Sequence, residues 1–188
     1  MLFEHLIYSA AIAIMAGMVH YRSVGRDYSL IIIASAYAPD IDIIVDPLLR
    51  KMGISLMLNG LPIVHGNFHN IAFMIVYSVS VAFFLHPIGF RFTDSLVFAG
   101  LGFAAHLFED ALVFNPAYSF FWPITNRNFG IGLFDYSANL YGIADSGVLM
   151  VGLILIGFSV ILRTVFEGTG WIRRMQPLNR IFALKKEQ

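Results

Sequence analysis

The sequence predicts an all-α, polytopic membrane protein of about five transmembrane helices, with a helical metal site in the outer half of the bilayer. Three observations predict it. The 188-residue chain is 58% hydrophobic and only 13% charged, with mean hydropathy +0.74, whereas a soluble domain carries about 25% charged residues. Its apolar runs approach the roughly 20 residues that cross some 30 Å of hydrocarbon. The Asp and His residues that interrupt these runs gather near the run ends on one side of the membrane. A formal net charge of +0 gives no basic excess for nucleic acid, so none is expected as a partner. The chain has no Cys, so any metal must be held by oxygen and imidazole nitrogen.

The first span covers residues 2–20. Glu4 and His5 stand where a signal peptide would place basic residues, so this span is expected to stay uncleaved. A loop with Arg22, Arg26 and Asp27 follows. The second run, residues 28–38, reaches only about 17 Å before Pro39 interrupts it. Asp40 and Asp42 then fall on the broken end of a helix below the membrane surface, where they must line a cavity or a metal. Residues 43–64 form a mixed connection, with an interfacial helix expected over residues 48–58. The third span covers residues 67–85 and begins with His69; His86, Pro87 and Arg91 turn the chain into the fourth, residues 93–114.

Residues 115–143 are aromatic but broken by Pro, Gly and Asn, and read as an interfacial cap on the outer side. The fifth span covers residues 144–166. Together, residues 1–166 are expected to form one transmembrane domain. The tail, residues 167–188, carries Trp171, Ile172, Ile181 and Phe182 with five cations, as an amphipathic surface helix does. A plain solvated basic end explains it about equally well.

Five spans place the termini on opposite sides. With the tail cytoplasmic, nine of the 12 Lys and Arg residues lie inside, leaving Arg50, Lys51 and Arg127 outside. The positive-inside rule therefore favours an extracytoplasmic N-terminus and a cytoplasmic C-terminus.

This topology sorts the ionisable groups. In GFAAHLFEDALVF, residues 102–114, His106 and Asp110 share one helix face at i, i+4. Counting back from Phe114, they lie about 12 and 6 Å deep. His5, Asp40, Asp42, His65 and His69 reach the same leaflet from three other segments, whereas His20 and His86 fall at the opposite face. Ionisable groups inside a membrane are costly and mark functional sites by default. A buried His–Asp pair that only pins two helices is the plainer alternative for His106 and Asp110, but it leaves the other five unexplained. An imidazole and carboxylate set suits Zn²⁺ first, then Mn²⁺ or Fe²⁺. Seven candidates exceed one tetrahedral ion, so either two ions bind or some residues orient the ligands.

The stretches APDID (residues 38–42), HGNFHN (65–70), HLFED (106–110) and NPAYSFFWP (115–123), with the early His5, resemble the YdjM-like family of membrane-bound, metal-dependent hydrolases. That family is itself held to be distantly similar to zinc-dependent phospholipases C and single-strand nucleases. The resemblance implies a metal-dependent hydrolase. The family typically shows H-R-G-x-x-H-S. Anchoring on Gly66 and His69 puts Val64 at its first His, His65 at its Arg and Asn70 at its Ser. His69 carries over directly, while His65 is either a displaced ligand or a cationic phosphate contact.

The expected function is hydrolysis of a phosphoester in a lipid or lipid-linked substrate by metal-activated water. Asp40, Asp42, His69, His106 and Asp110 are the expected ligands, with His5 and His65 added. Glu109 or a free carboxylate oxygen is the expected proton acceptor, and Arg127 the expected phosphate clamp. The competing class is a metal or ion carrier. By this reading the inner halves of the five spans hold almost no polar residues, which favours a one-sided enzyme site.

Overall fold

The computed structural model of the protein describes residues 2–55, 57–58, 61–62, 65–133 and 146–175. Its elements are nearly all helical: α1 (Leu2–Val24), α2 (Ser29–Ser35), a 3-10 turn (Pro39–Ile41), α3 (Asp42–Lys51), α4 (Ile71–Leu85), α5 (Phe92–Val113), α6 (Ser146–Glu167) and the single turn α7 (Trp171–Arg174). Among the described residues, three segments are long and apolar enough to cross a membrane: Ile71–Ile88, Phe92–Val113 and Gly147–Glu167. Their outward faces are apolar too, with Val76, Phe83 and Phe84 on α4 and Ile154, Ile161 and Val165 on α6 all exposed. A helix that is apolar all round belongs in lipid.

The second apolar run makes only the seven-residue α2, about 10 Å long. At that length it is too short to span the hydrocarbon by itself. It packs instead against α5 and α1, and Gly102 is what lets it come so close. A side chain there would overlap the carbonyl oxygen of Ile32 and stand 2.8 Å from Ser35 Cβ. Ala13, Tyr28, Ile31, Ile32, Phe90, Phe98 and Ala99 form the core around this contact.

The expected helix over residues 48–58 is displaced toward the N-terminus. α3 runs Asp42–Lys51 and keeps Pro47 inside it, followed by a two-residue antiparallel pair, β1 (Met57–Leu58) with β2 (Leu61–Pro62). Asn70 starts α4 as a side-chain cap, its Oδ1 accepting from Phe73 N at 3.0 Å. Asn and Ser are both favoured at this position of a helix. The described part of the cap folds back through Tyr118 and Phe129, paired as an antiparallel bridge. The rest of the expected cap, residues 134–143, and the tail beyond Met175 lie outside the described residues.

The end of the bundle opposite the cap is not bare, contrary to the expectation for the inner halves. Arg163 on α6 is wholly buried. It pairs with Asp27 and Glu167 and donates to Ile14 O and Ser29 Oγ, 3.3 Å each. Arg174 holds Glu167 from α7 at 2.5 Å. Nearby, His20 and Arg26 converge on Asp94 at 3.4 and 3.5 Å. A guanidinium saturated in this way is affordable at a helix end, and hydropathy averaged over a span does not reveal it.

Candidate metal centre

Four segments bring the acidic and imidazole groups together at the cap end. α1 supplies His5, the 3-10 turn after α2 supplies Asp40, the turn before α4 supplies His65 and His69, and α5 supplies His106 and Asp110. Three overlapping groups could each hold a cation: His5, Asp40 and His106; Asp40, His65 and His69; His69, His106 and Asp110.

The tightest set is His69 Nε2, His106 Nε2, Asp40 Oδ1 and Asp110 Oδ2. The two nitrogens stand 3.2 Å apart; His69 lies 3.2 Å from Asp40 and 3.3 Å from Asp110, and His106 lies 3.5 and 3.4 Å from them. Tetrahedral ligands about 2.0–2.1 Å from zinc are separated by roughly 3.3 Å. Each carboxylate, taken with the two imidazoles, therefore matches such an ion in kind and spacing, while none of the three groups contains both Asp40 and Asp110. Protonation logic agrees. His106 Nδ1 lies 2.7 Å from Ala36 O, and a carbonyl only accepts, so Nδ1 carries the proton. Nε2 then faces a second imidazole nitrogen and two carboxylates, and in the neutral tautomer it would offer a cation its lone pair.

The remaining expected residues surround this set in two ways. His5 stacks on His106 with ring centroids 3.9 Å apart. Its Nε2 lies 3.5 Å from Asp110 Oδ1, so Asp110 faces His5 with one oxygen and His69 and His106 with the other. Its Nδ1 meets Glu109 Oε2 at 2.6 Å, and Ser9 Oγ reaches the other oxygen of Glu109 at 3.4 Å. Glu109 thus faces away from the shared centre, behind His5. Asp42 is buried and falls outside the three groups. It accepts from Gly66 N at 3.1 Å and lies 3.0 Å from His65 Nδ1. That contact raises the pKa of His65 above its ordinary value. His65 itself is exposed at the mouth of the site. Arg127 is exposed as well, and its backbone N donates to Thr125 Oγ1 at 3.2 Å. Among the described residues no ion pair joins Arg127 to the cluster.

Two contributors escape a reading of the sequence. Tyr118, from the cap, lays its ring over His69 with centroids 4.3 Å apart and places its hydroxyl 3.4 Å from His65 Nε2. Gly66, at φ 96°, lets that ring approach, since a Cβ there would stand 2.6 Å from Tyr118 Cε1. The motif NPAYSFFWP contains Tyr118, but nothing in its spacing distinguishes it from the neighbouring aromatics. The Ala36 carbonyl is the second, and no side-chain pattern announces a backbone acceptor.

His20 and His86 stand apart from the cluster, His20 against Asp94 and His86 with Nδ1 3.2 Å from Phe90 O. No curated protein and no solved structure gives a significant match to the chain. One family model does, over residues 1–170. With that match covering most of its length, and with apolar helices to accompany it, the chain belongs to the YdjM inner membrane protein family.

Proposed function

We propose that the protein is a membrane-embedded, metal-dependent hydrolase acting on a phosphoester of a lipid or lipid-linked substrate. The observation that carries this reading is the convergence of Asp40 and Asp110 on the paired His69 and His106 at spacings of 3.2–3.5 Å. Bound there, a divalent ion, zinc by preference, lowers the pKa of water and polarises a phosphoryl oxygen. The protein's own groups supply the rest. Glu109 fixes the His5 ring from behind, and Ala36 O fixes that of His106, the orienting contacts that raise ligand basicity. Asp40 is the partly exposed carboxylate of the set, so it is the group placed to take a proton from an entering nucleophile. His65, held by Asp42 and topped by Tyr118, stands at the mouth where a phosphate would arrive. Arg127 serves as a clamp only if the cap closes further over the site.

In this reading the chain crosses five times. The second crossing is the short α2 with its 3-10 turn, which climbs from the Arg163 end to the metal end and stops there. The nine-to-three bias of Lys and Arg then orients the site toward the extracytoplasmic leaflet. An ion carrier would need a polar route from the cluster to the opposite end, and the lining between α1, α5 and α6 is apolar from Ala11 to Ala16 and from Val151 to Phe158.

Elemental analysis of purified protein never exposed to chelator tests the reading. About one or more equivalents of Zn²⁺ or a similar ion are expected in the wild type, with loss in His106→Ala and Asp110→Ala. Metal-free wild-type protein overturns it. Release of phosphate or headgroup from a panel of phospholipids, absent in His106→Ala, tests the hydrolase step.

A further inference from the structure

Along α1, between α5 and α6, runs a cavity of about 610 Å³, within the range of small-molecule sites. Its walls are apolar except at the ends. Tyr8 and Glu109 border it at the metal end, and Ala16 and Ser159 at the other. Glu109 is the carboxylate that holds His5, so the cavity ends one side chain away from the metal cluster. Val151, Leu155 and Phe158, on its α6 side, are exposed, so it opens sideways from a membrane-spanning helix rather than toward water.

Its length carries the argument. On α6 the lining extends from Val148 to Ser159, about 16 Å at 1.5 Å per residue. One leaflet contributes half of the roughly 30 Å hydrocarbon thickness, about the same depth. The groove begins where the polar cluster begins and ends near the middle of the membrane. A hydrocarbon chain of one leaflet has this reach and this chemistry. A soluble phosphoester would leave the groove without an occupant.

We infer that the groove between α1, α5 and α6 holds a hydrocarbon chain of a membrane lipid whose phosphoester headgroup lies at the metal cluster. The inference rests on the hydrolase reading for the headgroup's chemistry, but chain binding is measurable without turnover. Small side chains make the room: Ala11 and Ala16 on α1 and Ser159 on α6 line the groove where larger residues would fill it.

The test is photocrosslinking in vesicles of phosphatidylethanolamine and phosphatidylglycerol, a small fraction of the latter carrying a diazirine midway along one acyl chain. Adducts on Met15, Phe108 and Leu155 are expected to exceed, several-fold, those on Val76 and Phe84 of α4, although these are 64% and 73% exposed. Ala16→Phe should deplete the groove adducts and spare those on α4. Leu155→Trp, which fills the groove from the other wall, serves if Ala16→Phe does not fold. Adducts that merely follow exposure, or that survive both filling variants, overturn the inference. A disulfide-linked dimer of Phe158→Cys with adducts confined to α4 also overturns it, and assigns the groove to a second copy of the chain. Metal content read on the same samples separates the two readings. Groove adducts on metal-free protein sink only the hydrolase, and bound metal without groove adducts sinks only the chain site.

Discussion

Replacing Gly102 by Ala tests how the metal end is held together. The added Cβ would overlap Ile32 O and stand 2.8 Å from Ser35 Cβ, where carbon atoms prefer roughly 3.5–4.0 Å. α2 must therefore withdraw from α5 by about 1 Å. Ile32 O also accepts from Ala36 N at 3.0 Å, and Ala36 O is the partner of His106 Nδ1 at 2.7 Å. A shift of about 1 Å takes that last distance past the roughly 3.2 Å limit of a good hydrogen bond. Overpacking of this kind costs about 1–3 kcal/mol, and the lost hydrogen bond about 0.5–1.5 kcal/mol more. Removing an orienting partner of a ligand weakens metal binding about 10–100-fold. Competition with a chromophoric chelator in detergent measures the affinity, and thermal unfolding followed by circular dichroism measures the stability. Gly100→Ala is the control, because its Cβ would meet only Ser78 Oγ at 3.4 Å. Gly102→Ala protein with wild-type metal affinity and wild-type stability would refute this account of the α2–α5 contact.

Further outcomes are expected elsewhere. Glu109→Gln should lower metal affinity about 10–100-fold by weakening the support of His5, and an unchanged value in the same competition would remove its orienting role. Arg163→Leu leaves Asp27 buried without its cation and Glu167 with Arg174 alone, and should cost about 3–5 kcal/mol in thermal stability; a loss under about 1 kcal/mol contradicts that. His20→Ala and His86→Ala should keep their metal by elemental analysis, and loss in either would mean the two ends of the bundle have been assigned wrongly. Because the chain has no Cys, Asn126→Cys should react with an impermeant thiol reagent in intact cells and Ser23→Cys only after lysis; the reverse pattern moves the site to the cytoplasmic leaflet.

What was legible in the sequence followed from local rules. His106 and Asp110 share a face because 3.6 residues make a turn, and Pro39 ends the second apolar run because it cannot continue a helix. Asp40 and His69 could be assigned to the same end because each adjoins a run boundary. Pairings set by tertiary approach were not legible. Nothing local says that Glu109, about 100° around the helix from Asp110, meets His5 from another helix, or that Asp42 serves His65 rather than the central set. Nor does local pattern show that a seven-residue helix packs beside α5, since that depends on one missing Cβ at Gly102. Arg163 hid for a related reason: in the sequence it is one of the nine inner-side cations, at the end of the fifth span, while in the fold its chain-distant partner Asp27 draws it inward.

That buried arginine gives the bundle a mechanical character. Arg163 rivets α6 to the Ile14 carbonyl of α1, to Asp27 in the connection that follows α1, and to Ser29 of α2. At the metal end Tyr8 Oη of α1 donates to Val148 O of α6 at 2.7 Å. From Arg163 to Val148 the lever arm is about 22 Å. A tilt of about 5° around the rivet parts the helices by about 2 Å at Val148 and hardly moves them at Arg163, by the same helix geometry. A rocking of α6 about Arg163 would therefore displace it most beside Tyr8, the neighbour of His5 and Glu109, and least at the far face.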